Sequence, residues 1–239
     1  MFNLKYIRFA LILLLMLGLF GFANSVNNQR KLGDIRVNFN NNTALFVTAE
    51  TVENLLIDNL KDSLNSYKYM LDLEGLEHLL NKHDMIKSAD IFSDIKGNLG
   101  VIISQRQPIA RIFDGDFNYI DDQGLLMPLS NQFSARVPLV YGFSSEEISA
   151  IYPLLLKIRN DEFLKKHIIA IRKNSKNQTI KLNVRNQDFS INLGKIEALD
   201  LKFTNYKAFY LKAKQEQKLN DYKSVNLQFG NQVVCTFKQ

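Results

Sequence analysis

The segment that most constrains this chain is an apolar run near its start, from Phe9 to Ala23, which holds fifteen residues without a charge or a proline. Fifteen helical residues extend about 23 Å, somewhat less than the roughly 30 Å hydrocarbon core of a bilayer. Lys5 and Arg8 precede the run and can reach toward the headgroups, and the residues after it can extend the far end. The pattern predicts a transmembrane anchor at residues 9–26 behind a cytoplasmic tail at residues 1–8.

A cleaved secretory signal is the alternative interpretation of the same run. The apolar length is short for an anchor, and Gly21, Phe22 and Ala23 place small residues at plausible cleavage positions. Basic residues on the two sides of the run nearly balance, so the short tail and the long polar remainder favour an orientation with the tail inside. Both interpretations place the bulk of the chain outside the cytoplasm, in the periplasm of a cell with an inner membrane.

Composition excludes several classes of protein for the remaining chain. Hydrophobic residues at 46% and charged residues at 23% are ordinary globular values, which argues against long disorder. The net charge of +6 is spread along the chain without a dense Lys/Arg block, so nucleic acid is not an expected partner. A single cysteine, Cys235, excludes an internal disulfide, and the fold must therefore depend on packing.

Residues 34–104 predict a compact α+β module. Asp34–Phe39 alternates polar and apolar residues as a half-buried strand does, and a helix follows from Thr48. A second helix is predicted over Leu73–Lys82, and two strands, Ile86–Ile95 and Leu99–Ser104, are joined by a glycine-bearing hairpin turn.

Residues 109–237 predict a second, β-rich module with helices on its sheet. The predicted strands are Ile109–Phe113, Phe117–Ile120, His167–Arg172, Thr179–Val184, Phe189–Leu193, Ser224–Phe229 and Gln232–Phe237, with helices over Glu146–Arg159 and Lys195–Lys218. The long helix carries a heptad-like stripe that could zip to a partner coiled coil. Covering its own sheet is the interpretation that we favour, because one face of a sheet must be covered.

Several motifs occur here in the order in which they occur in a known family. They are Ile86-Lys-Ser-Ala-Asp90, Gln105-Arg-Gln-Pro-Ile-Ala110, Tyr119-Ile-Asp-Asp-Gln-Gly124, Met127-Pro-Leu-Ser130, Arg136-Val-Pro-Leu-Val-Tyr-Gly142, Phe189-Ser-Ile-Asn-Leu-Gly194 and Val225-Asn-Leu-Gln-Phe-Gly-Asn-Gln-Val-Val234. Over residues 1–235 the chain resembles the FtsQ (DivIB) family of cell-division proteins, and its first module resembles a POTRA domain. Gln105 departs from the family pattern, which has an acidic residue there, so any ion pair of that acid is in question.

The resemblance implies a fold and a function. The fold would be α+β, with a single N-terminal transmembrane helix, a small αβ POTRA domain at residues 27–106 and a larger mixed β-domain with covering helices at residues 107–239. The function would be that of a non-enzymatic bitopic scaffold of the divisome, which links early and late division proteins at the septum. The family holds the small bitopic protein FtsB, together with FtsL, at the edge of its carboxy-terminal sheet by β-strand addition.

The last strand is therefore the predicted partner-binding site. A strand formed last in the sequence often lies at a sheet edge, where unpaired N–H and C=O groups can bind an incoming strand. An ordinary hairpin that completes the sheet is the alternative. The positions that match the family are Phe229, Gly230, Asn231, Gln232, Val233, Val234 and Phe237. Cys235, among them, is interpreted as a small apolar residue rather than a reactive thiol.

Catalytic and metal-binding motifs are weak in this sequence, and no cofactor is expected. His78 and His83 are five residues apart, which does not place them on one helical face. The acidic loop from Asp114 to Asp122 lacks the glycine and the final glutamate of a calcium-binding EF-hand loop. Two other classes stay open: a POTRA-type chaperone for envelope protein insertion or secretion, and a cryptic envelope enzyme or peptidoglycan-binding domain.

Overall fold

The structure is a computed structural model of the chain, and it describes residues 4–28, 33–40, 46–60, 72–94, 96–230 and 232–238. The chain divides into two compact units, Met1–Gln105 and Arg106–Gln239. Parts of the sequence predictions lie outside the described residues, namely residues 1–3 of the predicted tail, Ile95 at the end of a predicted strand, and Asn231 of the predicted binding strand.

The first unit begins with helix α1, Leu4–Asn28, which contains the apolar run. Its consecutive apolar side chains from Leu11 to Leu15 are all more than half exposed, so every side of the helix presents apolar surface. Among the described residues, no helix combines the length and the apolar character needed to cross a membrane.

The rest of the first unit has the predicted order of strand, two helices and two strands. Its elements are β1 (Ile35–Phe39), α2 (Ala49–Leu60), α3 (Leu73–Asn81), β2 (Ile86–Ser93) and β3 (Leu99–Gln105). The strands form a sheet of order β1-β3-β2, in which β3 is parallel to β1 and antiparallel to β2. Leu56 and Leu80 from the helices are fully buried, as is Val101 from the central strand, so the hydrophobic stripes predicted for this module form its core.

Gln105, where the family pattern has an acid, still holds a local structure together. Its side-chain oxygen accepts hydrogen bonds from the backbone N–H groups of Phe46 and Val47, at 2.8 and 3.2 Å. An amide oxygen therefore serves there as an acceptor without an ionised group.

The second unit is built on a nine-stranded sheet of order β12-β11-β10-β9-β8-β7-β4-β5-β6. Its strands are β4 (Pro108–Asp114), β5 (Asp116–Asp121), β6 (Leu126–Met127), β7 (Leu139–Tyr141), β8 (Ile168–Lys173), β9 (Ile180–Val184), β10 (Ser190–Gly194), β11 (Tyr222–Asn226) and β12 (Val234–Phe237). Strands β6 and β7 have two and three residues, too few for the alternation that predicts a strand, so the sequence pattern does not reveal them.

Helices α4 (Ile148–Arg159), α5 (Glu162–His167) and α6 (Leu199–Gln215) contribute to one hydrophobic core with the sheet. Alternate strand residues such as Ile112, Val140 and Ile171 belong to this core, and Phe203 and Tyr206 of α6 are buried in it. The prediction that the long helix covers its own sheet is confirmed, and so is the α+β class. The helix begins later than predicted, because Ala198 has a left-handed backbone that does not belong to a helix.

Candidate partner-binding edge

Strand β12 lies at one end of the nine-stranded sheet, and within the part of the chain that the structure describes it pairs with β11 alone. The two strands are antiparallel, with Val225 opposite Cys235 and Asn226 opposite Val234. A β-bulge in β11 lies between Tyr222 and Ser224, which face Phe237 and Thr236 respectively. The prediction that the last strand forms a sheet edge is thus confirmed as a matter of topology.

The hydrogen-bond pattern decides which backbone groups of β12 face outward. Lys238 N–H donates to the carbonyl oxygen of Asp221 at 2.7 Å, so position 238 points toward β11. In an antiparallel strand each residue directs both of its backbone groups to one side, and successive residues alternate. Positions 234 and 236 therefore also point toward β11, whereas Cys235 and Phe237 direct N–H and C=O away from the sheet. These outward groups are the ones that an added strand would bind.

Phe237 is the last of three aromatic side chains in mutual contact, the first of which lies on helix α6. Its ring stacks on Tyr222 of β11, with ring centroids 5.0 Å apart. Tyr222 in turn meets the ring of Phe209, on α6, edge-on at 5.1 Å. Phe237 is nevertheless 59% exposed, because nothing described covers its outer side. The edge therefore offers an apolar surface beside its outward backbone groups.

The other predicted site residues divide between the strand and the loop before it. Val234 is exposed, whereas Val233 is half-buried and packs against the core. Phe229, Gly230 and Gln232 are exposed in the loop, and the Gly230 carbonyl accepts a hydrogen bond from the Asn205 side chain at 3.1 Å. Asn231 lies outside the described residues.

Cys235 belongs to the face of β12 that packs on the core. It is half-buried, and this burial raises the pKa of its thiol above the ordinary value. A thiol with a raised pKa stays protonated near neutral pH and is a weak nucleophile. This environment supports the interpretation of Cys235 as a small apolar residue.

The acidic loop of the sequence analysis has structural partners in the second unit. Asp121 is fully buried, and its carboxylate accepts a hydrogen bond from Arg106 Nε at 2.7 Å and others from the backbone of Gln123 and Leu125. Asp114 accepts hydrogen bonds from the backbone and the hydroxyl of Ser145. The two carboxylates thus stabilise loops at separate places.

The second unit also buries a titratable pair that the sequence did not reveal. His167 Nε2 and the hydroxyl of Tyr206 are 2.6 Å apart inside the core. Burial lowers the pKa of His167 to about 4, and burial also raises the pKa of Tyr206. The imidazole is therefore neutral, and its Nε2 shares one hydrogen bond with the tyrosine hydroxyl. Residues 39 positions apart give no common pattern in a sequence, so only the fold could identify this pair.

Sequence reasoning also missed the side chains of β11 and α6 that pack under Phe237 or bind the loop before β12. Tyr222 lies two residues before the predicted start of its strand, and Phe209 and Asn205 belong to the long helix. The alternation of Tyr222 with Ser224 was a usable signal for Tyr222. No sequence signal assigned Asn205 to the Gly230 carbonyl.

Residues 107–236 match the model of a family described as FtsQ/DivIB, C-terminal related. This match covers more than half of the chain, including β11 and all of β12 except Phe237. No curated protein matches the chain.

Proposed function

Because this chain belongs to the FtsQ/DivIB family, through the C-terminal related region at residues 107–236, we propose that it is a scaffold that binds a partner chain along β12. The family is one of non-enzymatic cell-division proteins, and a role in cell division follows from membership. The finer proposal is that the protein belongs to the divisome and links early and late division proteins at the septum.

The observation that carries this proposal is the open edge of β12. Cys235 and Phe237 direct backbone donors and acceptors out of the sheet, and of the strands that the structure describes only β11 pairs with β12. A partner in extended conformation can hydrogen-bond these groups and place alternate side chains beside Phe237 and Val234. Backbone bonds would supply affinity, and the exposed apolar side chains would supply selectivity.

The proposed partner is a small bitopic division protein of the FtsB type, bound together with one of the FtsL type. Both would meet this chain outside the cytoplasm. The exposed apolar side chains of α1 support attachment of the chain to the inner membrane, because an apolar helix surface of this size is unfavourable in water. Carbonate extraction of membranes would test the attachment: the chain should stay with the lipid fraction, and release into the wash would contradict it.

A scaffold without catalysis fits the titratable groups of the second unit. The largest pKa shifts belong to His167 and Tyr206, which are buried against each other. Their shifts arise from packing rather than from an arrangement at an open cleft. We therefore propose that these two groups serve the stability of the fold.

A POTRA-type chaperone, which would receive strands on the first unit, is the alternative. The outer edge of β2 does not favour it, since the N–H groups of Ala89 and Ile91 donate to the side chains of Asn81 and Glu77 at 2.8 and 2.7 Å. An incoming strand would have to displace both acceptors before it could pair.

Co-purification tests the proposal directly. Full chain should bring small bitopic proteins with it from detergent-solubilised membranes, and deletion of residues 232–239 or the Val233→Pro variant should lose them. Position 233 shares the outward phase of Cys235, so the proline replaces an N–H that β11 does not use. Circular dichroism of the proline variant serves as the control for folding. Recovery of the same partners with a folded Val233→Pro variant would refute strand addition at β12.

A further inference from the structure

The face of the nine-stranded sheet opposite to the helices carries a row of aromatic and cationic side chains. This row is separate from the edge of β12. The row consists of Phe117 on β5, Phe113 on β4, Tyr141 on β7, Arg172 on β8 and Lys181 on β9, each opposite the next in register. Their chain neighbours, such as Ile112, Val140 and Ile171, are in the core with the helices. Alternation along each strand therefore turns the row to the opposite face of the sheet.

The aromatic half of the row is closely packed and accessible. The rings of Phe113 and Phe117 have centroids 4.9 Å apart, and that of Tyr141 is 6.4 Å from Phe113. Phe113 is 42% exposed and Phe117 is 39% exposed. The Arg111 guanidinium lies 5.3 Å from the Phe117 ring centroid, which brings a positive charge to the aromatic surface.

The cationic half of the row has no acidic counterpart. Among the described residues, neither Arg172 nor Lys181 forms an ion pair, and Arg111 forms none either. Arg172 lies over the Tyr141 ring at 4.4 Å and donates from Nε to the neutral amide of Asn183. Other cations of this unit are differently placed, since Lys173 pairs with Glu147 and Lys238 with Asp188.

Arg172 and Lys181 also oppose each other directly on neighbouring antiparallel strands. Like charges in this arrangement repel and weaken the pairing of the strands. A glutamate at either position would form a cross-strand ion pair instead. The sheet therefore keeps an unfavourable charge pair next to exposed aromatic rings.

We propose that this row binds an acidic peptide segment of a protein partner, whose carboxylates pair with Arg172 and Lys181 and whose apolar side chains pack on Phe113 and Phe117. Charge complementarity supports this occupant, because carboxylates would relieve the repulsion between the two cations. Aromatic rings beside arginine are also typical of the centres of protein interfaces. The surface lies on the sheet face and is separate from the backbone groups of β12.

A fluorescein-labelled peptide of Glu-Pro-Phe repeats tests the proposal on the full chain in detergent, because its prolines prevent strand addition. Fluorescence anisotropy should show saturable binding that weakens with added salt. A peptide with lysine in place of each glutamate should not bind. Lys181→Glu should weaken affinity for the acidic peptide about tenfold or more and at the same time raise the melting temperature, through its ion pair with Arg172.

Matched variants separate this surface from general charge and from β12. Lys176→Glu makes the same charge change in the exposed loop between β8 and β9 and should leave affinity within about twofold, as should Cys235→Pro at the edge. Phe113→Ala should weaken binding several-fold. Equal losses for Lys176→Glu and Lys181→Glu would overturn the proposal, as would unchanged binding by Lys181→Glu. Competition by soluble short-chain phosphatidylglycerol, without competition by unlabelled peptide, would assign the surface to anionic lipid and overturn it too.

Discussion

Two edge strands of this molecule, β2 in the first unit and β12 in the second, differ in whether side chains cover their outward backbone groups. On β2 the N–H groups of Ala89 and Ile91 donate to Asn81 and Glu77, two side chains of helix α3. On β12 no described side chain covers the outward groups of Cys235 and Phe237 in this way. An uncovered edge invites pairing with other chains, and proteins usually protect it. The difference supports the proposal that the edge of β12 serves binding.

Proline substitutions at two neighbouring positions of β12 should give the largest contrast, because one should reduce partner affinity and the other should reduce stability. Cys235→Pro removes an outward N–H and should weaken binding of an FtsB-type partner at least a hundredfold, whereas the fold should stay intact. Thr236→Pro removes an N–H that faces β11 and should destabilise the second unit. Isothermal titration calorimetry and thermal unfolding of both variants measure the contrast. Equal effects of the two prolines on stability would show that the assigned phase of β12 is wrong.

Acid should weaken the second unit through His167. Its folded pKa of about 4 lies below the ordinary 6.5, so between these pH values the unfolded chain binds a proton that the folded chain does not. Stability should therefore be complete above pH 6.5 and fall as the pH is lowered toward 4, by up to about 3 kcal/mol.

Chemical denaturation at several pH values measures this loss. His167→Phe should be less stable at neutral pH, because the buried Tyr206 hydroxyl loses its hydrogen-bond partner, yet it should show a flatter pH dependence in this window. An unchanged slope in that variant would assign the acid sensitivity to other groups. Binding along β12 should be lost in parallel with the unfolding of this unit.

Removal of the cover on β2 should cost about 1–2 kcal/mol for each acceptor lost. Glu77→Ala leaves the N–H of the buried Ile91 without its acceptor, and Glu77→Ala combined with Asn81→Ala opens the edge as β12 is open. Thermal unfolding gives the stability change, and size-exclusion chromatography should reveal self-association of the double variant. Glu74→Ala, an exposed position on the same helix, is the control and should do neither.

Replacing the exposed phenylalanine on each of the two edge strands should have only modest effects, and these effects should differ in partner binding. Phe237→Ala should cost less than about 1 kcal/mol of stability, because much of the ring is already exposed, but should weaken partner binding several-fold. Phe92→Ala makes the same change on β2, where the ring is 51% exposed, and should leave partner binding unchanged. Titration of the partner against both variants measures the difference. Equal losses of affinity would remove the distinction between the edges.

Much of this architecture was predictable because local patterns carry it. The alternation in Ser224–Phe229 and the apolar spacing of the long helix identify elements that the structure contains, with ends shifted by a few residues. The two-residue strand β6 and the three-residue strand β7 were not predictable, since they are shorter than any period. The rows of side chains across the sheet were not predictable either, because register links residues such as Phe113 and Tyr141 that lie far apart in the chain.

In the candidate site, too, some features were predictable from the sequence and others were not. Position at the end of the chain predicted an edge, and the order of motifs indicated the family. Which of the residues from Val233 to Phe237 face outward depends on one hydrogen bond, from Lys238 to Asp221, and on the bulge in β11. Those contacts are made only when β11 and β12 pair.

The amino-acid sequence by itself determined the α+β class, the apolar first helix, the order of the elements and the family, because periodicity and local motifs are properties of neighbouring residues. Tertiary structure alone decided that β12 is open while β2 is covered, that His167 is neutral beside Tyr206, and that Arg172 faces Lys181. Each of these depends on which distant segments meet, and hydrogen bonds, burial and charge repulsion between them arise only after the chain has folded.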